Sequence, residues 1–246
     1  MDRVWRTPFR FLPPSARAVK DGGAALWYVG AHDSASFLSS GDISLHDVDV
    51  HLFEPLWDFF SELLLKAEEQ ERVHAHYFGI GSGTAPLNFT LASMQTTASN
   101  YLEFSKGSLY IYGYEERKTR RNHTRPALVR DAAKTLRILH PTAANLARGV
   151  FPALDLLFMA CMGCEYAVVE SLANAELLAQ VGVVFFFSFM VLSDEEIERV
   201  MVWEGVLDVA SALRLASDRY CALHRLLRRN HARDFGAPWG MERWTP

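Results

Sequence analysis

The sequence predicts an α/β protein with a doubly wound, mostly parallel sheet and helices on both faces, plus an N-terminal extension and a helical C-terminal segment. Strand-like and helix-like segments alternate between residues 73 and 192, which is the pattern of repeated βαβ units. The strongest strand candidate, Val181 to Val191, is rich in β-branched and aromatic residues, as expected of a strand buried on both faces. A chain of 246 residues that is 50% hydrophobic can bury a core of this size.

The predicted core is built from elements that follow one another along the chain. Strands are predicted over 73–78, 109–114, 153–159 and 181–191. Helices are predicted over 87–105, 126–139 and 165–179, from Asp194 onward, and within 207–233. The N-terminal region adds one amphipathic helix from Pro55 to Gln70, with the proline in its first turn.

The pattern divides the chain into three parts. Residues 1–70 form an N-terminal arm and an acidic helical segment, and residues 1–40 show no clear periodicity. Residues 71–206 form the Rossmann-like core. Residues 207–246 form a helical, basic segment that we expect to pack on the core.

Charge and cysteine content exclude several classes of protein. The 25 Lys and Arg residues against 29 Asp and Glu give a net charge of −4, which excludes a globally basic nucleic-acid coat protein. Three cysteines are too few for a disulfide scaffold and indicate reducing conditions. The longest apolar run is too short for a membrane span, which needs about 20 residues.

We therefore expect an intracellular protein, cytoplasmic or nuclear, with no membrane partner. The N-terminal segment is rich in arginine and has no apolar signal region, so a mitochondrial location is the alternative. The oligomeric state is not indicated.

A glycine-rich turn follows the first predicted core strand, with glycines at positions 79, 81 and 83 before a predicted helix. Glycine permits a tight turn and a close approach of ligand to backbone. A phosphate loop would require a lysine after Gly83, and a dinucleotide fingerprint would require glycine at position 84, where Thr84 stands. A plain tight connection between strand and helix stays the alternative.

The segment from Tyr77 to Pro86 resembles the first motif of class I S-adenosylmethionine-dependent methyltransferases. The second strand of that family offers a carboxylate to the ribose hydroxyls, and Glu115 matches this position. Residues 153–158 resemble the family's fourth strand, and the run into Val181 resembles its fifth. The resemblance implies an enzyme that binds S-adenosyl-L-methionine and transfers its methyl group. The implied cofactor-binding residues are Gly79, Ile80, Gly81, Ser82, Gly83, Glu115, Met159 and Cys161.

Departures from the family pattern favour a second hypothesis, a non-catalytic interaction or scaffold protein. Gly79 stands where the family's first motif has an acidic residue, and the 32 residues from Gly83 to Glu115 exceed the usual spacing of about twenty. No acceptor motif follows the fourth strand, so no catalytic residue is assigned.

A basic segment directly follows Glu115. Local clusters of this kind neutralise phosphates whatever the net charge of the protein. We therefore expect a nucleic acid or an acidic protein at residues 117–125, with an ordinary solvated loop as the alternative. The candidate substrate-binding residues are Arg117, Lys118, Arg120 and Arg121.

Cys161 and Cys164 form a Cys-x-x-Cys between a strand and a helix. We favour two buried, unreacted residues. The alternatives are a redox pair at a helix N-terminus and half of a zinc site completed by His74 and His76. We predict no bound metal.

Overall fold

The computed structural model describes residues 24–31, 48–91, 102–104, 124–141, 153–161, 164–187, 208–236 and 241–246. Eleven strands and four α-helices lie in these ranges. The strands are β1 Ala24–Val29, β2 Val48–Phe53, β3 Val73–His76, β4 Gly79–Gly81, β5 Ala85–Leu91, β6 Leu102–Phe104, β7 Thr124–Asp131, β8 Leu154–Met159, β9 Val181–Phe187, β10 Ala232–Gly236 and β11 Met241–Thr245. The helices are α1 Trp57–Ala67, α2 Ala132–Leu139, α3 Cys164–Asn174 and α4 Val209–Leu227.

Seven strands form the main sheet, in the order β3-β2-β1-β8-β9-β11-β10. The first five lie parallel to one another, and β11 runs antiparallel to both of its neighbours. Helix α1 packs on one face through Leu63 and Ala67, while α2, α3 and α4 cover the other. The doubly wound, mostly parallel α/β fold is therefore confirmed.

Strand β1 lies in the middle of this sheet, between β2 and β8. Trp27 and Val29 pack on the face covered by α2 to α4, and Ala24 and Leu26 pack on the opposite face. Because both faces are covered, β1 is apolar throughout, as expected of a parallel strand. The expectation that residues 1–70 lie outside the core is thus wrong for β1 and β2.

Strand β2 alternates apolar and polar residues, and its polar side chains have partners. Asp49 accepts a hydrogen bond of 2.9 Å from Arg72, and His51 is hydrogen-bonded to His76 on β3. Pairing of this kind allows a strand with an acidic residue and a histidine to lie inside a sheet.

A second sheet of four strands, in the order β4-β7-β5-β6, replaces part of the predicted helical structure. The helix predicted over 87–105 is wrong, since β5 and β6 pair antiparallel in this segment. The helix predicted over 126–139 begins only at Ala132, because residues 124–131 form β7. Asp131 caps this helix by accepting a hydrogen bond from the Lys134 N–H at 2.8 Å.

The remaining predictions differ in outcome. Helix α1 and strands β3, β8 and β9 confirm the predicted elements in their segments. The C-terminal helix ends at Leu227, where helix was predicted to residue 233, and the chain then forms the β10–β11 hairpin. The strand predicted over 109–114 and the helix from Asp194 lie outside the described residues. None of the helices in the described part of the chain is long and apolar enough to cross a membrane.

Candidate functional site

The carboxyl ends of the parallel strands meet along one edge of the main sheet. Val29 on β1 is paired with Phe53 on β2 and with Met159 on β8, and Met159 is paired with Phe186 on β9. In a doubly wound sheet, ligands bind outside these carboxyl ends where the strand order reverses. Here the order reverses between β1 and β8, so the residues that follow Val29 and Met159 define the candidate site.

Gly30 follows β1 in a backbone conformation that favours glycine, with φ of 76°. A Cβ at this position would lie 2.8 Å from Cys161 Cα and 2.9 Å from the Ala160 carbonyl oxygen. The N–H groups of Gly30 and Ala31 both donate to the Phe53 carbonyl at 3.1 Å. The turn is therefore folded tightly between the ends of β2 and β8, and glycine is required both for its conformation and for its close packing.

Glu54 follows β2 and lies beside this turn. Its side chain is fully buried, and one carboxyl oxygen accepts a hydrogen bond of 2.9 Å from the Leu56 N–H. Its own N–H donates to the His76 carbonyl, which holds the backbone against β3. Glu54 comes 24 residues after Gly30, close to the spacing of about twenty between the glycine turn and the ribose-binding carboxylate in dinucleotide folds.

Cys161 and Cys164 are joined by a disulfide, with their Cα atoms 5.5 Å apart. This corrects the interpretation that favoured two unreacted cysteines. Cys161 packs on Gly30 and is half-buried, whereas Cys164 is buried and begins α3. The Glu165 carboxylate accepts a hydrogen bond of 3.2 Å from the Cys161 N–H. Cys221 on α4 is free and exposed.

The glycine segment singled out from the sequence has a different local structure from the one predicted. Gly79, Ile80 and Gly81 form β4, and the chain enters β5 at Ala85, so the predicted turn from strand to helix is wrong. Ser82 and Gly83 are exposed, and a Cβ at Gly83 would meet no atom within 4 Å. Cofactor binding by these residues stays a prediction.

The other sequence-predicted site residues fall into two groups. Met159 ends β8 and Cys161 follows it, so both lie at the strand reversal. Glu115 and residues 117–123 of the basic segment lie outside the described ranges. The last two residues of the segment, 124 and 125, belong to β7, but their side chains are not described. The roles of Glu115, Arg117, Lys118, Arg120 and Arg121 stay predictions.

Four histidines gather on the β2–β3 side of the candidate site. His51 Nδ1 lies 2.9 Å from His76 Nε2, and the rings of His74 and His140 lie within 5.3 Å of the His51 ring, measured between centroids. His140 accepts a hydrogen bond of 3.0 Å from the Trp27 indole N–H. Burial lowers the pKa of His51 to about 3 and that of His76 to about 4, so both rings are neutral at pH 7.

A network around one buried carboxylate, Glu242, lies on the other side of the candidate site, at the start of β11. Glu242, paired with Phe186 on β9, accepts hydrogen bonds from the Tyr220 hydroxyl and from the Trp244 indole N–H, and lies 2.9 Å from His224 Nε2. Burial raises the pKa of Glu242, but these partners outweigh it, so the net pKa is lowered and the carboxyl is ionised.

Two histidines of the C-terminal segment are buried. His224 belongs to the Glu242 network, and His231 Nε2 donates a hydrogen bond of 2.8 Å to the Val181 carbonyl. Within the ranges that the structure describes, no group of three or more His, Cys, Asp or Glu side chains could hold a metal ion.

Gly30 and Glu54 were missed by the reasoning from sequence. Gly30 follows β1 and Glu54 follows β2, and each strand has six residues. The sequence pattern that could have identified the site is therefore a glycine directly after one strand and a glutamate directly after the next. The charged and imidazole side chains of β2 concealed the second strand, and the glycine-rich segment 79–83 drew the assignment away from the first.

No protein-family model matches the chain, and no curated protein matches it. Similar solved structures include a chain of the fibrillarin/Nop5p complex, with 10% identity over 92% of this chain and 74% of that chain, and a TM-score of 0.40. Methyltransferase FkbM from Methylobacillus flagellatus KT is 10% identical over 98% of this chain and 48% of its own, with a TM-score of 0.43. The CurJ carbon methyltransferase is 10% identical over 96% of this chain and 50% of its own, with a TM-score of 0.41.

The chain spans about half the length of the FkbM and CurJ chains.

Proposed function

We propose that the protein binds S-adenosyl-L-methionine at the carboxyl edge of the main sheet and transfers its methyl group to an acceptor. The observation that carries this proposal is the Gly30 turn at the strand reversal, with the Glu54 carboxylate at the tip of the adjacent strand. The strand order of the main sheet, with its single antiparallel strand second from one edge, resembles that of class I methyltransferases and supports the same assignment.

The residues at this edge fit a nucleoside with a ribose diol. A carboxylate at the tip of β2 accepts hydrogen bonds from two vicinal hydroxyls, which is the role we give Glu54. Because the Glu54 side chain is fully buried, this role requires the ligand to open the edge of the sheet around it. The Gly30 turn holds the ends of β1 and β8 together at this edge, because glycine leaves room for the Cys161 backbone. When bound, S-adenosyl-L-methionine would supply an electrophilic methyl group on a sulfonium.

The chain itself contributes positioning. Ala31 and Met159 are almost fully buried and give the site an apolar floor, which fixes a ligand by packing and keeps water away. Burial raises the pKa of Tyr166, near the start of α3, so its phenol stays protonated at neutral pH. Alignment of acceptor and donor is the main catalytic contribution that these residues offer.

A calorimetric titration with S-adenosyl-L-methionine tests the site. We expect Glu54→Gln to weaken binding by roughly 10- to 100-fold, because hydrogen bonds to a charged group contribute about 1.5–3 kcal/mol. The matched control is Glu62→Gln on the exposed face of α1, which should bind as the wild type does. If wild type shows no heat of binding at millimolar ligand, the proposal is wrong.

The same titration compares this site with the one predicted from the sequence. Glu115→Ala should leave the affinity unchanged if Glu54 is the ribose carboxylate. Loss of binding in Glu115→Ala, together with normal binding in Glu54→Gln, would transfer the ribose role to Glu115.

A second candidate is a binding protein that does not transfer the methyl group. The end of β8 favours it, because Ala160 and the disulfide-bonded Cys161 offer no acid or base there. Incubation with methyl-labelled cofactor and candidate acceptors separates the two. Binding without label transfer to any RNA, DNA or protein extract would support the second candidate.

We also propose that the basic segment 117–125 contacts a nucleic acid or an acidic protein. Reversing Arg117, Lys118, Arg120 and Arg121 to glutamate should abolish binding to an anionic partner and remove its dependence on salt. Unchanged binding in this variant would exclude the segment from the interface.

A further inference from the structure

We propose that Cys161 and Cys164 form a redox-active disulfide, reducible by a small dithiol, and that its oxidation state controls ligand binding at the Gly30 turn. The redox part stands on the position of the two cysteines alone. The ligand-binding part rests on the function proposed above, and the two parts are tested separately.

The disulfide lies at the strand reversal itself. Cys161 is the second residue after β8, and a Cβ at Gly30 would lie 2.8 Å from its Cα and 2.9 Å from its Cβ. The two residues whose packing defines the candidate ligand site are therefore one glycine and one half of a disulfide. A disulfide that only joined the end of β8 to α3 would not need to contact the Gly30 turn after β1.

The two sulfurs differ in access and in electrostatic setting. Cys161 is half-buried, while Cys164 is 4% exposed and is the first residue of an 11-residue helix. The positive end of a helix dipole stabilises a thiolate, and a thiolate of lower pKa leaves faster in exchange. Attack at Cys161 with departure of Cys164 is thus the direction that the geometry favours.

The exchange is a two-electron reduction. One thiolate of the dithiol attacks Cys161 Sγ, forms a mixed disulfide and releases the Cys164 thiolate. The second thiolate of the dithiol then attacks the dithiol's other sulfur, which is bonded to Cys161 in the mixed disulfide. This step releases the Cys161 thiolate. The dithiol ends as a disulfide, and the two protons it carried pass to the two cysteines.

Reduction removes the only covalent link between the end of β8 and α3 apart from the chain itself. Two described hydrogen bonds then hold this segment: Ala160 N–H to the Val29 carbonyl at 2.9 Å, and Cys161 N–H to Glu165 at 3.2 Å. Cys161 becomes free to move away from Gly30, so the wall of the ligand site loosens. We expect reduction to weaken binding roughly tenfold, within the usual range of coupling between two sites.

The redox part is tested in the Cys221→Ser variant, which removes the exposed free thiol without touching the site. The folded protein is equilibrated with mixtures of reduced and oxidised dithiothreitol, quenched in acid, alkylated and weighed by mass spectrometry. We expect the reduced fraction to rise smoothly with the reductant while the circular dichroism stays that of the folded protein.

Three results would overturn the redox part. The pair could stay oxidised in fully reduced dithiothreitol, it could fail to form a disulfide in the oxidised mixture, or its reduction could unfold the protein. The last outcome would make the disulfide a structural one.

The coupling is tested by titrating S-adenosyl-L-methionine into oxidised and reduced Cys221→Ser protein. The reduced form and the Cys161→Ser/Cys164→Ser double variant should both bind roughly tenfold more weakly than the oxidised form. Equal affinities in the two forms would overturn the coupling. If neither form binds the cofactor, the proposed function fails, while the alkylation result still decides the redox part.

Discussion

Gly30 and the glycine segment 79–83 show how differently glycines of one chain are used. Gly30 is a single glycine with a left-handed backbone, packed against the backbone that follows the adjacent strand β8. Gly83 belongs to a conspicuous glycine pattern, yet a side chain there would project into open space. The density of glycines in a sequence therefore says less about a binding turn than the position of one glycine at a strand reversal does.

The largest expected effect is at Gly30. Gly30→Ala should destabilise the protein by about 3–5 kcal/mol, because a strained backbone costs about 1–3 kcal/mol and overpacking against Cys161 adds a similar amount. Urea unfolding followed by circular dichroism measures it. A loss below about 1 kcal/mol would mean that the turn is not held as tightly as its contacts indicate.

The second largest expected effect is a loss of folding stability on acidification, caused by His51 on β2 and His76 on β3. The pKa values of His51 and His76 are about 3 and about 4 in the folded protein, against 6.5 for an ordinary histidine. At a pH between the folded and the ordinary pKa, the unfolded chain binds more protons than the folded protein does. The free energy of unfolding therefore falls as the pH is lowered from about 6.5 toward 4. Each histidine contributes up to about 1.4 kcal/mol per pH unit.

Urea unfolding at a series of pH values between 7.5 and 4 checks this dependence. His51→Gln should reduce its slope, whatever its effect on stability at pH 7.5. The glycine segment 79–83 and β5 contain no histidine, so the loss should appear first at β2 and β3 in amide hydrogen exchange. An unchanged slope in His51→Gln would contradict the assignment.

The expected cost of an alanine at Gly81 lies between the costs at Gly30 and at Gly83. A Cβ there would come within 3.0 Å of a methyl group of Val129 on the paired strand β7, and a valine side chain yields more readily than backbone. We expect Gly81→Ala to cost about 1 kcal/mol, partly offset by the lower entropy of the unfolded alanine chain. A cost as large as that of Gly30→Ala would erase the distinction between the two regions.

Gly83→Ala should have the smallest effect, within about 0.5 kcal/mol of wild type, because its side chain meets nothing. It serves as the matched control for the other two substitutions in the same unfolding experiment. It should also leave cofactor affinity unchanged. A loss of affinity in Gly83→Ala would favour the site predicted from the sequence over the one at Gly30.

Strands with a continuous local pattern could be predicted from the sequence, and strands that depend on distant partners could not. Strand β9 is a continuous apolar run and β8 is apolar except for Asp155, so their type was predicted with their approximate bounds. Strand β2 was hidden because Asp49 and His51 look like surface residues until their partners, Arg72 and His76, are known. Those partners are 23 and 25 residues away, beyond the reach of a local pattern.

The second sheet was missed for a related reason. The alternation of Leu87, Phe89 and Leu91 fits β5, but it is short and pairs with a strand more than thirty residues later in the chain. The glycines before it suggested a helix start. Met159 and Cys161 lie at the strand reversal, at the end of β8, which was predicted as a strand; their role in cofactor binding stays a prediction.

The pairing of β1 with β8 has a consequence for synthesis of the chain. The Ala25 N–H donates to Asp155 across 130 residues of sequence, and Leu26 and Trp27 are buried only when β8 lies beside them. During translation from the N-terminus, β1 leaves the ribosome long before its partner exists. The nascent chain therefore carries an exposed apolar strand edge until residue 159 has emerged.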